Sequence, residues 1–324
     1  MVRIKDVAKA AGVAPSTVSL VLNKKGYVSV ATRKKVEAAM AELNYIPSEV
    51  ARNLSLSRTN TIGVVMPSAA HPFFGEVIEA LEAALYEQHY KMVLCCTHDN
   101  GETERNFVDM LKRRTMDGII MGAHSLDVSL YDNIKQPIVA FDRFINNDIP
   151  IIHCDHEYGG RLAAEAFLQH KCHHLVEIIG HHAVKSPANA YHRVCAELLQ
   201  AHGIKVDTIE RPWNEVSYQS FLTVANRLFT VYPDVDAILG SDLSVSACLQ
   251  VAKSKGLRAP QDIRMVAYDG TLVTQMGLEP ITAIRQPVRD LAKLAVQKVI
   301  ERIEGKEIDG PWMIKPQLLR GTTC

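Results

Sequence analysis

The stretch Ile4-Lys5-Asp6-Val7-Ala8-Lys9-Ala10-Ala11-Gly12-Val13-Ala14-Pro15-Ser16-Thr17-Val18-Ser19-Leu20-Val21-Leu22-Asn23 decides how the chain begins. Ile4, Val7, Ala8 and Ala11 fall at i, i+3, i+4 and i+7, one face of a helix, and Gly12 supplies a stop. After the turn Gly12-Val13-Ala14, Pro15 occupies a first helical position, where its missing N–H costs nothing, and Asn23, Lys24 and Gly26 close a second short helix. A third helix is expected over residues 32–43, with Val36, Ala39, Met40 and Leu43 on one face and Arg33, Lys34 and Lys35 in its first turn. Positive charge at a helix N-terminus opposes the macrodipole, so this cluster is costly unless an anion lies nearby.

Charge separates this head from the body of the protein. Residues 1–60 carry ten basic and four acidic side chains, a net of +6; the rest of the 324-residue chain carries 26 basic and 32 acidic, a net of −6. The two cancel to a formal charge of zero, which conceals a polyanion-binding segment joined to an acidic body. With 47% apolar and 22% charged residues the chain is globular, which excludes disorder as its main state. MVRIKD has no apolar run of signal-peptide length and no apolar stretch approaches ~18 residues, so neither secretion nor a membrane is expected and the expected location is cytoplasmic. Seven cysteines without a CxxC pair fit reduced thiols rather than a disulfide framework.

Two short helices joined by a glycine-containing turn, inside a +6 segment, form a helix-turn-helix pattern whose second helix would enter the major groove of DNA. The other reading is a generic three-helix bundle with a solvated basic face. The run IKDVAKAAGVAPSTVSLVLN followed by TRKKVEAAMAELNYIPSEVARNL resembles the DNA-binding head and hinge of the LacI/GalR family of bacterial repressors, continuously over about 55 residues. The resemblance implies that Pro15, Ser16 and Leu20 read base edges and that Thr17 and Ser19 contact phosphates, with Lys5 and Asn23 also facing DNA. Two positions depart from the family. Ala14 stands where a capping Ser is common, and Leu20 stands where Arg or His is frequent. Leucine makes no bidentate contact to guanine, so Leu20 is expected to read shape or a thymine methyl.

Residues 47–57 (PSEVARNLSLS) form a candidate hinge helix of about two turns. Helices shorter than ~12 residues are marginal alone in water, so this one is expected to order only against a partner. By resemblance that partner is the same helix of a second subunit in the minor groove, with Ala51 and Leu54 on one face and Leu54 as the wedge at a central base step. Leu54→Ala is expected to weaken operator binding strongly with the fold intact; an unchanged anisotropy titration would refute the wedge.

From Thr61 short apolar runs (TIGVVM, KMVLCC, GIIMG, PIVAFD, IIHCD, then LVEIIG, DAILG, IRMVAYDG, ITAIRQ) alternate with amphipathic stretches at 74–88, 102–114, 158–170, 188–202, 216–229, 245–255 and 288–303. Such alternation gives parallel sheets with helices on both faces. Two similar halves predict two doubly wound subdomains around a cleft, with ligands outside the carboxyl ends of the strands. The expected organisation is a small all-α helix-turn-helix domain at 1–46, a hinge and linker at 47–60, and a periplasmic-binding-protein-like α/β core at 61–324. Within that core, subdomain one is expected at about 61–154 and 287–312 and subdomain two at about 155–286 and 313–324.

Asp142, Asp155 and Asp269 stand at strand ends, and an aspartate there can accept two sugar hydroxyls. Each alone is equally a helix cap; together they favour a small polar ligand. By resemblance, His71-Pro72-Phe73-Phe74 borders the effector pocket and the ligand-facing positions are Phe73, Phe74, Asp142, Arg193, Trp213, Ser241, Asp269 and Gln286. His71 and Ser241 replace residue types usual in the family, and Ala196-Glu197 replaces a Gly-Phe pair after Arg193. The strings FDR…DIP, Gly159-Gly160 and AYDGT most resemble the sucrose- and ribose-operon repressor branch, which implies a sugar or sugar-phosphate effector, with Arg143, His181, His182 and Lys185 as candidate phosphate ligands.

Five histidines between His170 and His182 raise a metal reading, but no HExxH or finger spacing accompanies them, so surface histidines, no metal and no cofactor are expected. GxSxG and glycine-rich phosphate loops are absent, which argues against an enzyme. The expectation is a homodimeric repressor of a carbohydrate operon on palindromic double-stranded operator DNA; the alternatives are a catabolite-type regulator controlled by a phosphocarrier protein and a sugar-processing enzyme.

Overall fold

The protein is described from a computed structural model covering residues 2–23, 26–47, 53, 58–97, 101–123, 128–182, 184, 186–212, 217–308 and 312–324. It contains two compact units, Met1–Asn60 and Thr61–Cys324. Among the described residues no helix is long and apolar enough to cross a membrane.

In the first unit, α1 (Ile4–Ala11), α2 (Pro15–Asn23) and α3 (Val30–Glu42) close around Val7, Ala8, Val18, Val21, Val36 and Ala39. Gly12 ends α1 in the left-handed region at φ 66°, and the N–H groups of Gly12 and Val13 reach back to the carbonyls of Lys9 and Ala8. That is the geometry glycine reaches without a Cβ penalty. α3 starts two residues earlier than its apolar pattern suggests, because the Ser29 hydroxyl accepts the Thr32 N–H at 3.2 Å. The earlier start moves Lys34 and Lys35 out of the first turn, which relieves the expected conflict with the helix dipole. The hinge positions Ala51 and Leu54 lie outside the described residues.

The second unit is built from two lobes. Lobe one holds β1 (Thr61–Met66), α4 (Pro72–Glu87), β2 (Lys91–Cys96), α5 (Gly101–Lys112), β3 (Gly118–Met121), β4 (Ile138–Phe141) and β5 (Ile151–Cys154). Lobe two continues with α6 (His156–Gln169), β6 (His174–Ile179), α7 (Asn189–Ala201), β7 (Lys205–Glu210), α8 (Tyr218–Val231), β8 (Ala237–Ser241), α9 (Asp242–Ser254), β9 (Arg264–Asp269) and β10 (Thr282–Arg285). The chain then returns through α10 (Val288–Ile303) and β11 (Trp312–Ile314) before β12 (Gln317–Leu319). The strand orders are β11-β5-β4-β3-β1-β2 and β12-β10-β9-β8-β6-β7, so both sheets are wound alike. Apart from the antiparallel β10–β12 edge every strand pair is parallel. Helices cover both faces, which is why β3 and β4 are buried along their whole length and read as unbroken apolar runs.

The return segment is structural to lobe one: Val288, Leu291, Val296 and Val299 of α10 share a core with Ile62, Val64, Leu81 and Ile120. Because β11 pairs with β5 in the first sheet, the last crossing falls after Ile314 rather than after residue 312. Lobe two closes its own packing where α6 crosses α7. A Cβ on Gly160 would lie 2.5 Å from the Tyr191 carbonyl oxygen, so the two helices approach only because no side chain intervenes. Gly160→Ala is expected to cost roughly 1–3 kcal/mol, the usual penalty of overpacking, and to lower the melting temperature of the core; an unchanged melt would show that α7 shifts freely.

Candidate functional site

The carboxyl ends of β1, β4, β8 and β9 open onto one cleft between the lobes. Its cavity measures about 250 Å³ and is lined by residues of both, among them Phe73, Phe74, Asp142, Ser241, Asp269 and Gln286. Asp142 and Asp269, expected from their places at strand ends, thus meet Phe73, Phe74, Ser241 and Gln286, which the family resemblance implied. On the lobe-one side, His71, Phe73 and Phe74 open α4 as an aromatic ridge, with ring centroids 5.3 and 5.4 Å apart. Facing it, Tyr191 and Tyr268 stack at 3.7 Å and 7°.

The polar groups are held by a buried network. The Asp142 carboxylate accepts from His156 Nε2 at 2.8 Å, and His156 Nδ1 lies 2.7 Å from the Tyr268 hydroxyl. A carboxylate only accepts, so Nε2 donates, and in the neutral tautomer Nδ1 accepts a hydrogen bond from the Tyr268 O–H. One imidazole thus links the strand end of lobe one to β9 of lobe two. Gly159 makes room for it, since a Cβ there would meet the Tyr268 hydroxyl at 2.7 Å.

Asp269, at the left-handed φ of 110°, accepts from Gln286 Nε2 at 2.9 Å. Burial, then the nearby Asp242 carboxyl, raises its pKa well above the usual carboxylate range. Asp242 accepts from the N–H groups of Gly270 and Thr271 and from the Thr271 hydroxyl. Burial outweighs those donors and pushes it up to about 6. Asp242 therefore binds its proton more tightly folded than unfolded, and its contribution to stability falls as pH rises from 3.8 through about 6. A second cross-lobe tie lies at the edge of the cleft. Glu76 of α4 accepts from the Leu272 N–H at 3.1 Å and pairs with Arg285 at 2.9 Å.

Three expected ligand residues stand elsewhere. Arg143 does not face the cavity. It is 2% exposed, donates to Glu104 Oε1 at 2.9 Å and lies over the Tyr131 ring, so its charge is already neutralised inside lobe one. Arg193 is half-exposed on the outer face of α7 and pairs with Glu157 at 2.6 Å and Glu197 at 3.2 Å; its neighbour His192 lines the cavity instead. Asp155 caps α6, accepting the Tyr158 N–H at 3.0 Å. Trp213 and Lys185 lie outside the described residues. Sequence reasoning missed Tyr191, Tyr268 and His156, which belong to the site through contacts between distant segments. Nor are the histidines uniformly surface groups: His174 is 3% exposed and lies between Asp207 and Asp234.

In the head, α2 buries Val18 and Val21 and exposes Pro15, Ser16 and Leu20 along one side, with Thr17, Ser19 and Asn23 partly exposed. Lys5 is exposed on α1. The residues of α2 expected to read DNA thus lie on its free face.

A helix-turn-helix head joined to a two-lobed, cleft-bearing α/β core defines a class of DNA-binding regulators. The head matches the family described as bacterial regulatory proteins, lacI family, over residues 3–48. The core matches periplasmic binding proteins and sugar binding domain of LacI family over residues 59–315. The sucrose operon repressor of Streptococcus mutans is 33% identical, covering 98% of both chains. The ribose operon repressor of Halalkalibacterium halodurans is 34% identical, covering 95% of this chain and 92% of its own. Among solved structures, the lac repressor dimer bound to operator and the anti-inducer ONPF superposes with a TM-score of 0.87 at 26% identity, covering 99% of this chain and 98% of that one. The chain belongs to the LacI family of bacterial transcription regulators. It is a DNA-binding regulator and not an enzyme.

Proposed function

We propose that the protein represses a carbohydrate-utilisation operon in the cytoplasm, at the nucleoid, binding a palindromic operator as a homodimer under the control of a sugar in the core cleft. The observation that carries this reading is the pairing of Asp142 and Asp269 with aromatic faces around one small cavity. Carboxyl groups at strand ends take sugar hydroxyls, and aromatic faces take the apolar side of the ring. At about 250 Å³ the cavity falls just below the ~300–1,000 Å³ typical of ligand sites, which suits a small sugar.

The charge inside the cleft favours a free sugar over a sugar phosphate. Arg143, the expected phosphate partner, is committed to Glu104, and among the described lining residues Asp142 and a single arginine, Arg211, are the charged groups left to meet a phosphate. The DNA reading rests on the +6 head and the free face of α2. The site residues proposed are Lys5, Pro15, Ser16, Thr17, Ser19, Leu20, Asn23, Ala51 and Leu54 for DNA, and Phe73, Phe74, Asp142, Ser241, Asp269 and Gln286 for the effector.

The test is an operator titration at fixed salt against a panel of free and phosphorylated sugars. A free sugar is expected to shift operator affinity by about 5–150-fold, the range that typical coupling energies give. Preference for the phosphorylated form would overturn the free-sugar assignment, and absence of specific DNA binding would overturn the whole reading.

A further inference from the structure

A cluster of three side chains at the rim of the cleft takes no part in the proposed sugar contacts. His181 and His182 come just after β6, and Glu210 ends β7; the parallel ladder pairs Ile179 with Glu210, so register alone carries the carboxylate up to the histidines. Glu210 Oε1 accepts the His182 N–H at 2.8 Å, which fixes one carboxylate oxygen from the backbone. The same oxygen lies 2.8 Å from His182 Nδ1 and 3.8 Å from His181 Nε2, and the three groups offer ligand atoms all within 4.8 Å of one another. The two imidazoles stack at 4.5 Å.

We propose that His181, His182 and Glu210 form a binding site for a divalent transition-metal ion of the Zn²⁺ class. In a tetrahedral zinc site with bonds of ~2.0–2.2 Å, ligand atoms stand roughly 3.3–3.6 Å apart. The observed separations bracket that range, and all three side chains are exposed enough, at 31%, 75% and 38%, to close the remaining distance. Two imidazoles and one carboxylate suit Zn²⁺, Ni²⁺, Cu²⁺ or Co²⁺; Mg²⁺ and Ca²⁺ take all-oxygen sites.

Two neighbouring cations have partners of their own. The Arg211 guanidinium sits over the Phe221 ring at 3.9 Å, and Arg193 is tied to Glu157 and Glu197. Three protein ligands leave a fourth position for water. The sequence pattern hid the site because the third ligand is 28 residues away, on the adjacent strand. His181 also lines the ligand cavity, which places the ion at its entrance.

The experiment uses the full chain, stripped with chelator and titrated with ZnCl₂ by calorimetry, and separately with CoCl₂ by visible absorbance. One tight site per chain is expected, with the visible bands of tetrahedral cobalt. Glu210→Gln and His182→Asn are each expected to weaken zinc binding by at least about 10–100-fold, the loss that even removal of an outer-shell partner brings, and to abolish the cobalt bands. His89→Asn, at an exposed position in lobe one, leaves both unchanged. Glu210→Gln retains an oxygen for the His182 N–H, and its circular dichroism and operator binding confirm the fold. Zinc binding that survives in both rim variants places the ion elsewhere, on the cysteines for example, and overturns the proposal. So does an absence of tight binding in the wild-type protein.

Discussion

Replacing Arg143 with alanine is expected to destabilise the core by about 3–5 kcal/mol, the cost of leaving a buried charge without its partner. Arg143 and Glu104 are 2% and 1% exposed, their ion pair is 2.9 Å long, and the Tyr131 hydroxyl donates to the same carboxylate oxygen. Burial, reinforced by Glu104, drives the tyrosine pKa far up, so the phenol stays a donor. Removing the guanidinium strands Glu104 in a low-dielectric interior beside β4. For a domain of this size the loss corresponds to a fall of about 10 °C in melting temperature. The double replacement Arg143→Met with Glu104→Leu is expected to recover most of it, since apolar groups of similar volume often replace a buried pair without penalty. An Arg143→Ala protein that melts like the wild type and loses only sugar affinity would restore Arg143 to the ligand site.

Asp269→Ala is expected to weaken sugar binding by about 100-fold while operator affinity in the absence of sugar is unchanged, giving a regulator blind to its effector. About 3 kcal/mol is the upper end of the roughly 1–3 kcal/mol cost of leaving a buried sugar hydroxyl without its partner; the Gln286 amide orphaned by the same change lowers the stability of the core instead. Asp269→Asn should lose only about tenfold. Its oxygen still accepts from Gln286, asparagine tolerates the positive φ of 110° better than alanine, and a neutral amide resembles the protonated acid that burial favours. Isothermal titration of the two variants beside the wild type decides the matter; equal affinity for Asp269→Ala removes Asp269 from the binding site.

Arg143 and Asp269 also show where sequence reasoning succeeds and stops. Asp142 and Asp269 were recoverable because the end of a parallel strand is visible as the end of an apolar run, whereas Ser241 came from the family resemblance alone. Arg143 is one residue beyond Asp142, but that step turns the side chain from the cleft into lobe one, where Glu104 meets it from a separate helix. The same one-residue rotation, about 100° on a helix, separates His192 in the cavity from Arg193 on the surface. Tyr268 read as a buried strand residue, which it is; that its hydroxyl reaches His156 from 112 positions away is a tertiary fact with no local trace. The start of α3 was misplaced because Ser29 looks like part of a loop until its hydroxyl is seen on the Thr32 N–H.

The return of α10 to lobe one has a consequence for how the protein is made. β1 to β5 are complete by residue 154, but the helix that covers them spans Val288–Ile303, so lobe two through β10 must be synthesised first. At ~5–20 residues per second the gap lasts on the order of ten seconds. During it Ile62, Val64, Leu81 and Ile120 lack the partners that Val288, Leu291 and Val299 later supply. The nascent chain therefore presents an uncovered apolar surface for a defined interval, and chaperone dependence should track the elongation rate between those two points rather than the stability of the finished protein.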